Sequence, residues 1–196
     1  MALPDFRSLY KDLMRHEGED VSSGVLLPWL PKARQALDGM QRYRYLASSN
    51  PGPDVEAEEL WQWYALNRVN DHLLYGFQIG QEFPQDAPLR EWSGSVVSSA
   101  AYLNFFETLG FHSFSDRTFS PFYHEIVEVV TDETMPSAVV EHEFWPGLLF
   151  SEMLFSRAGV RVRAPAHLMA KDVAERSVMY FTFKRLRRQA SDQSHG

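Results

Sequence analysis

Phe122-Tyr123-His124-Glu125-Ile126-Val127-Glu128-Val129-Val130 is a run of aromatic and β-branched residues. Such residues fit a half-buried pleated surface better than a helix. Residues 138–145, Ala-Val-Val-Glu-His-Glu-Phe-Trp, have the same character, and Thr131-Asp132-Glu133-Thr134-Met135-Pro136-Ser137 lies between them as a loop. Two antiparallel strands joined as a hairpin are predicted over 122–130 and 138–145.

Downstream of this pair, Pro146 and Gly147 end the second strand, and residues 147–157 read as a short helix. Gly159-Val160-Arg161-Val162-Arg163 alternates and reads as a strand. A helix is expected over 165–176 and a final alternating strand over 177–186. Upstream the period changes. Phe6, Leu9, Tyr10, Leu13 and Met14 recur at helical spacing and predict a helix over 5–17 that Gly18 ends. Residues 19–31 read as loop, with a second helix starting near Pro31, a residue suited to a first turn, and running to about residue 47. Ser48-Ser49-Asn50-Pro51-Gly52-Pro53 is a loop, and Asp54 stands where an N-cap is expected. The next helix, over 55–78, has apolar residues on several faces and should be largely buried. Residues 80–94 read as irregular, and a further helix over 95–109 is stopped by Gly110. The expected class is α+β: a helical N-terminal half packed on a small, mostly antiparallel sheet formed by the C-terminal half. One globular domain is expected over 1–190, with a flexible tail at 191–196.

Composition narrows the function. A chain of 196 residues with 44% hydrophobic and 23% charged residues can build a core without staples. There is no cysteine, so disulfides, thiolate nucleophiles and Cys-based metal sites are excluded. The start, Met1-Ala2-Leu3-Pro4-Asp5-Phe6-Arg7, lacks a basic segment followed by an apolar one, and no apolar run reaches membrane-spanning length. A cytoplasmic location without membrane contact is expected. The net charge of −7 argues against nucleic acid as a partner. The basic run at 184–188 reads as a solvated strand end. No glycine-rich phosphate loop is present, so no nucleotide cofactor is expected, and no Gly-x-Ser-x-Gly elbow appears.

The unusual chemistry lies between Arg117 and Arg157. That interval has no lysine or arginine but carries Glu125, Glu128, Asp132, Glu133, Glu141, Glu143 and Glu152, together with His124 and His142, and His112 lies just upstream. Seven carboxylates without local cations repel one another unless a metal, water or distant arginines compensate. Strand alternation places His124, Ile126, Glu128 and Val130 on one face. If the hairpin register sets His124 opposite His142, two imidazoles and Glu128 converge. That ligand set suits zinc or non-haem iron(II), with His112 as a further ligand. A slip of one residue would bring Glu141 and Glu143 to that face instead. A helical zinc motif built on His124, Glu125 and Glu128 is disfavoured by the β-branched residues between them. The alternative to metal is ion pairing across strands, with Arg157, Arg161 and Arg163 partnering Glu125, Glu141 or Glu143.

A second constellation sits in the long helix. Arg68 and His72 share a face, Asp71 is close to both, and Tyr64 and Trp61 lie about one and two turns before Arg68. These residues could bind an anionic small molecule through Arg68 and His72 with the aromatics stacked on it, or could form an interior ion pair that fixes packing. Two functional readings result. One is a small metal-dependent enzyme acting on an anionic small molecule. In it His124, Glu128, His142 and His112 would hold the metal, Glu125 or Glu141 would act as acid or base, and Arg68, His72, Tyr64 and Trp61 would contact substrate. The other is a binding module without chemistry, which docks a basic partner protein on its acidic hairpin face.

Overall fold

The computed structural model describes residues 5–17, 20–40, 57–79 and 97–175. Several expectations fall outside them: the end of the second helix, the loop at 48–53 with its Asp54 cap, the stretch 80–94, the strand at 177–186, the basic run at 184–188 and the tail at 191–196. The described chain is α+β, with helices mostly N-terminal and strands C-terminal.

Helix α1 (Phe6–Arg15) starts where Asp5 accepts a hydrogen bond from the Ser8 amide at 3.0 Å. The Ser8 hydroxyl and amide hold the Asp5 carboxyl below its ordinary value. Phe6, Leu9 and Leu13, at helical spacing, are buried against helix α3 (Ala57–Ile79). The second helix begins earlier than its prolines suggest. Asp20 accepts from the amides of Ser22 and Ser23, a π-helical stretch spans Ser22–Leu26, and α2 (Leu27–Met40) follows with Pro31 inside it. A proline inside a helix removes one backbone donor. Here burial of Leu26, Trp29, Leu30 and Ala33 along one side outweighs that loss. Helix α4 (Ser99–Thr108) is capped by Ser98 and ends at Gly110, as its glycine predicts. Gly110 has φ 88°, the Phe111 amide reaches the Phe106 carbonyl at 3.0 Å, and the rings of Phe106 and Phe111 pack at 5.4 Å. This is a Schellman stop with its hydrophobic contact.

The expected single sheet is two. Strand β1 (His112–Phe114) pairs antiparallel with β4 (Gly147–Phe150), which pairs antiparallel with β5 (Met153–Ser156). The helix expected over 147–157 is therefore a β4–β5 hairpin, turned at Ser151, which has φ 55°. A short apolar run satisfies either period locally. Tertiary packing decides it: Phe150 and Phe155 lie 5.0 and 4.8 Å from Phe111 between ring centroids, and Trp63 of α3 lies 5.1 Å from Phe150.

The second sheet corrects the central expectation. Strands β2 (His124–Thr131) and β3 (Val139–Trp145) do not pair with each other. Strand β6 (Ala158–Ala164) lies between them, parallel to β2 and antiparallel to β3. Ala158, Val160, Val162 and Ala164 share one face and are all buried, while Arg161 and Arg163 on the other reach carboxylates on both sides, a pattern that suits a central strand. The loop at 132–138 crosses over β6 rather than closing a hairpin. The helix expected over 165–176 is reduced to a turn at 165–169 and the single turn α5 (Lys171–Ala174).

Two features join the layers. Tyr102 donates to Asn70 Oδ1 at 2.7 Å, and Asn70 Nδ2 donates to Ser156 Oγ at 3.2 Å, which links α4, α3 and β5 through fully buried groups. Trp145 lies across Gly159, its partner in the β3–β6 register, and donates from Nε1 to the Arg157 carbonyl at 3.0 Å. A Cβ on Gly159 would fall 2.1 Å from the Trp145 ring. Gly159→Ala should therefore cost about 1–3 kcal/mol, the range for overpacking a core, measured as a lower urea midpoint at unchanged m-value. Tyr102→Phe should cost about 1–3 kcal/mol by stripping Asn70 Oδ1 of a buried donor; a change within error would show that the network contributes nothing net.

A candidate ligand-binding cleft

A serine turn positions the first residue of β2. The amides of Tyr123 and His124 both donate to the Ser120 carbonyl, at 3.2 and 2.9 Å, and the Phe122 amide donates to Ser120 Oγ at 3.3 Å. The turn brings the His124 ring back over its own start. The Ser120 amide donates to His124 Nδ1 at 3.0 Å, and the ring stacks on Phe119 with centroids 5.9 Å apart. Nδ1 also lies 3.1 Å from the Ser120 carbonyl, so its protonation has to be decided. That carbonyl already accepts two amides, whereas the Ser120 amide has Nδ1 as its acceptor. Nδ1 is therefore the acceptor, and the proton of the neutral ring sits on Nε2. His124 is 3% exposed, and its Nε2 is itself buried, without a hydrogen bond of normal geometry among the described residues.

His124 lines an open cleft of about 370 Å³. Its other walls are mainly apolar: Phe119 and Pro121 before β2, Ile126 within it, and Leu168, Met169 and Val173 from the 165–174 segment. The register explains the space. His124 stands beside Ala158, and Ile126 beside Val160, on the sheet face that Met169 covers. Ala158 is too small to fill the volume next to the imidazole. Arg157, just before β6, completes the wall. Its Nε donates to the Phe122 carbonyl at 2.8 Å, and no carboxylate among the described residues pairs with it. Burial pushes the His124 imidazole below its ordinary value, against the opposing effects of the Ser120 carbonyl and of the charge and backbone carbonyl of Asp116.

The residues expected to act together are divided. The β2 register skips Val127, a bulge that reverses the alternation. His124 and Ile126 face the cleft side, while Glu128 stands beside Arg161 on the other face and accepts from its Nε at 2.7 Å. His142 pairs across from Arg161 on that same far face and is exposed, packed edge-on against Phe144. Glu141 is exposed and ion-paired with Arg163, which also reaches Asp132 at 3.3 Å. His112 is exposed on β1, in the other sheet. Glu125 is buried and borders the cleft, its side of the strand being that of Gly159. The arrangement leaves His124 apart from Glu128, His142 and His112, and no group of three metal-ligating side chains occurs among the described residues.

The α3 constellation lies where α1 packs on α3. Arg68 Nη1 lies 3.9 Å from the buried Asp71 carboxylate, and the Tyr10 ring of α1 meets His72 edge-on at 6.3 Å. Trp61 and Tyr64 are exposed, in contact with each other, and Arg7 of α1 sits 5.6 Å from the Trp61 ring. None of these residues lines the cleft.

Comparison with protein-family models, curated proteins and solved structures gave no match. No helix among the described residues is long and apolar enough to cross a membrane.

Arg157 and Met169 enter the site only through tertiary structure. Arg157 reads from sequence as an ion-pair candidate, and its place at the cleft follows from the parallel β2–β6 pairing. The small pair Ala158-Gly159 after it was the one local signal that space would open there.

A depressed imidazole stabilises the fold most where it is neutral in both states. That contribution is present above the ordinary value of 6.5 and is lost as pH falls through it toward the folded value. Between pH 7 and pH 5 the wild-type urea midpoint should fall more steeply than that of His124→Phe. Parallel slopes would show that His124 is not titrating below its ordinary range.

Proposed function

We propose that this is a cytoplasmic protein that binds a small molecule in the cleft between β2 and the 165–174 segment, whose walls carry His124, Glu125 and Arg157 as polar groups. The observation that carries the reading is an open, mainly apolar cleft of about 370 Å³ with His124, Glu125 and Arg157 in its walls. Apolar walls with a few polar groups are the usual form of a small-molecule site.

Zinc or iron(II) enters this reading only through His124 and needs the opposite tautomer, with the Nε2 lone pair free. Docking of a basic partner protein is less favoured, because Arg161 and Arg163 already hold Glu128, Glu141 and Asp132.

Methyl-resolved NMR with a fragment library tests the proposal. Fragments should shift the Ile126 and Met169 methyls. A library that leaves those methyls unmoved would sink it. A parallel Zn²⁺ titration that broadens His124 and at least two further ligands would restore the metal reading.

A further inference from the structure

The His124 ring holds one short turn from both of its nitrogens. Nδ1 lies between two groups of the same residue, the Ser120 amide at 3.0 Å and the Ser120 carbonyl at 3.1 Å. Nε2 is buried beside the Asp116 backbone carbonyl. Phe119, stacked on the ring, and Pro121 flank Ser120 in the chain, and both stand in the cleft wall. Arg157 Nε ties the next residue, Phe122, to the start of β6 through its carbonyl.

Nδ1 can use only one of its two neighbours at a time. In the neutral ring it has a lone pair and accepts from the Ser120 amide. In the imidazolium both nitrogens carry protons, so Nδ1 has to donate, and the acceptor beside it is the Ser120 carbonyl. That carbonyl already accepts the Tyr123 and His124 amides at 3.2 and 2.9 Å, and a third donor competes first with the longer Tyr123 bond. Protonation therefore takes the acceptor from the Ser120 amide and loosens the turn on its far side. Each state has its own support: burial favours the neutral ring, and the Asp116 charge favours the charged one. The other charged groups around the ring are Arg117, exposed on the turn, Arg157, and Glu125, whose side of β2 is that of Gly159. From the 165–174 segment only apolar side chains enter the cleft wall; His167, Lys171 and Asp172 are exposed outside it, and Glu175 sits on the Val129 amide. We infer that the Ser120 turn is a pH-sensitive switch, in which protonation of His124 moves Nδ1 from the Ser120 amide to the Ser120 carbonyl and reshapes the wall that Phe119 and Pro121 form. A local charge change that biases two arrangements of one element is the general form of such switches. The effect on a ligand rests on the cleft reading above; the switch itself does not.

NMR of the full chain from pH 8 to pH 4 tests it. The Ser120 amide, the Phe119 ring and the His124 ring should shift in one step, with a shared midpoint below the ordinary 6.5. In His124→Asn the side-chain oxygen takes the place of Nδ1 and does not titrate, so the Ser120 step should vanish. Should His124→Asn not fold, the wild-type titration decides alone. A His124 ring that titrates while the Ser120 amide stays put would overturn the switch, as would a ring that does not titrate or unfolding in place of a local step. Octanol, an uncharged probe, reads the consequence at the Ile126 and Met169 methyls. Binding that needs the neutral ring weakens up to about tenfold for each pH unit below the midpoint, so octanol should bind wild type more weakly at pH 5 than at pH 7. Equal binding at both pH values would overturn the coupling to the cleft. Octanol that moves no methyl at either pH would count against the cleft reading, and the Ser120 step would still decide the switch.

Discussion

The insertion of β6 between β2 and β3 organises the C-terminal half. Two acidic strands set side by side would place Glu125, Glu128, Glu141 and Glu143 across from one another, and like charges on paired strands are destabilising. Strand β6 carries Arg161 and Arg163 into that gap. Arg161 holds Glu128 on one side, and Arg163 holds Asp132 and Glu141 on both. These pairs are partly exposed and stabilise only weakly. Burial of Val160 and Val162, at about 1.5–3 kcal/mol for each such side chain, is the larger effect. Hydrophobic burial therefore puts β6 in the centre, and the arginines discriminate against the arrangement in which β2 and β3 meet directly.

The same insertion creates the cleft. A parallel β2–β6 pair sets the start of both strands at one end of the sheet, so His124 stands beside Ala158 and Arg157 comes next to the Ser120 turn. The bulge at Val127 then splits the strand into two chemistries. Its first residues look onto the small core around Met169, and Glu128 joins the charged face. The helical half contributes support: the aromatic cluster of Trp63, Phe106, Phe111, Phe150 and Phe155 fixes the β1–β4–β5 sheet on α3 and α4, and Trp145 carries that core to the β6 sheet.

What could be read from the sequence was what neighbours decide. The stripe of Phe6, Leu9 and Leu13, the Gly110 stop, and the strand character of 122–130 and 138–145 all depend on residues within a few positions. The pairing of those strands did not, because both chose the later strand β6 over each other, and no local pattern encodes a crossover. Bulges were equally hidden, so the shared face expected for His124 and Glu128 came apart at Val127. In residues 147–157 two periods competed on equal local terms and the distant Trp63 and Phe111 decided. For the site, the chemical types at His124 and Glu125 stood out, whereas the far apolar wall, Leu168, Met169 and Val173, comes from more than 40 positions downstream.

The Glu175 side chain, just after α5, accepts the Val129 amide at 2.9 Å. Among the described residues β2 is paired on one side only, so this amide belongs to the sheet's outer margin. Open margins of hydrophobic strands recruit strands from other molecules. A carboxylate seated on one of the outward donors, next to a bulge that twists the strand, makes that margin a poor template. The chain that forms one wall of the cleft thus runs on to cover an outward amide of β2 beside its bulge.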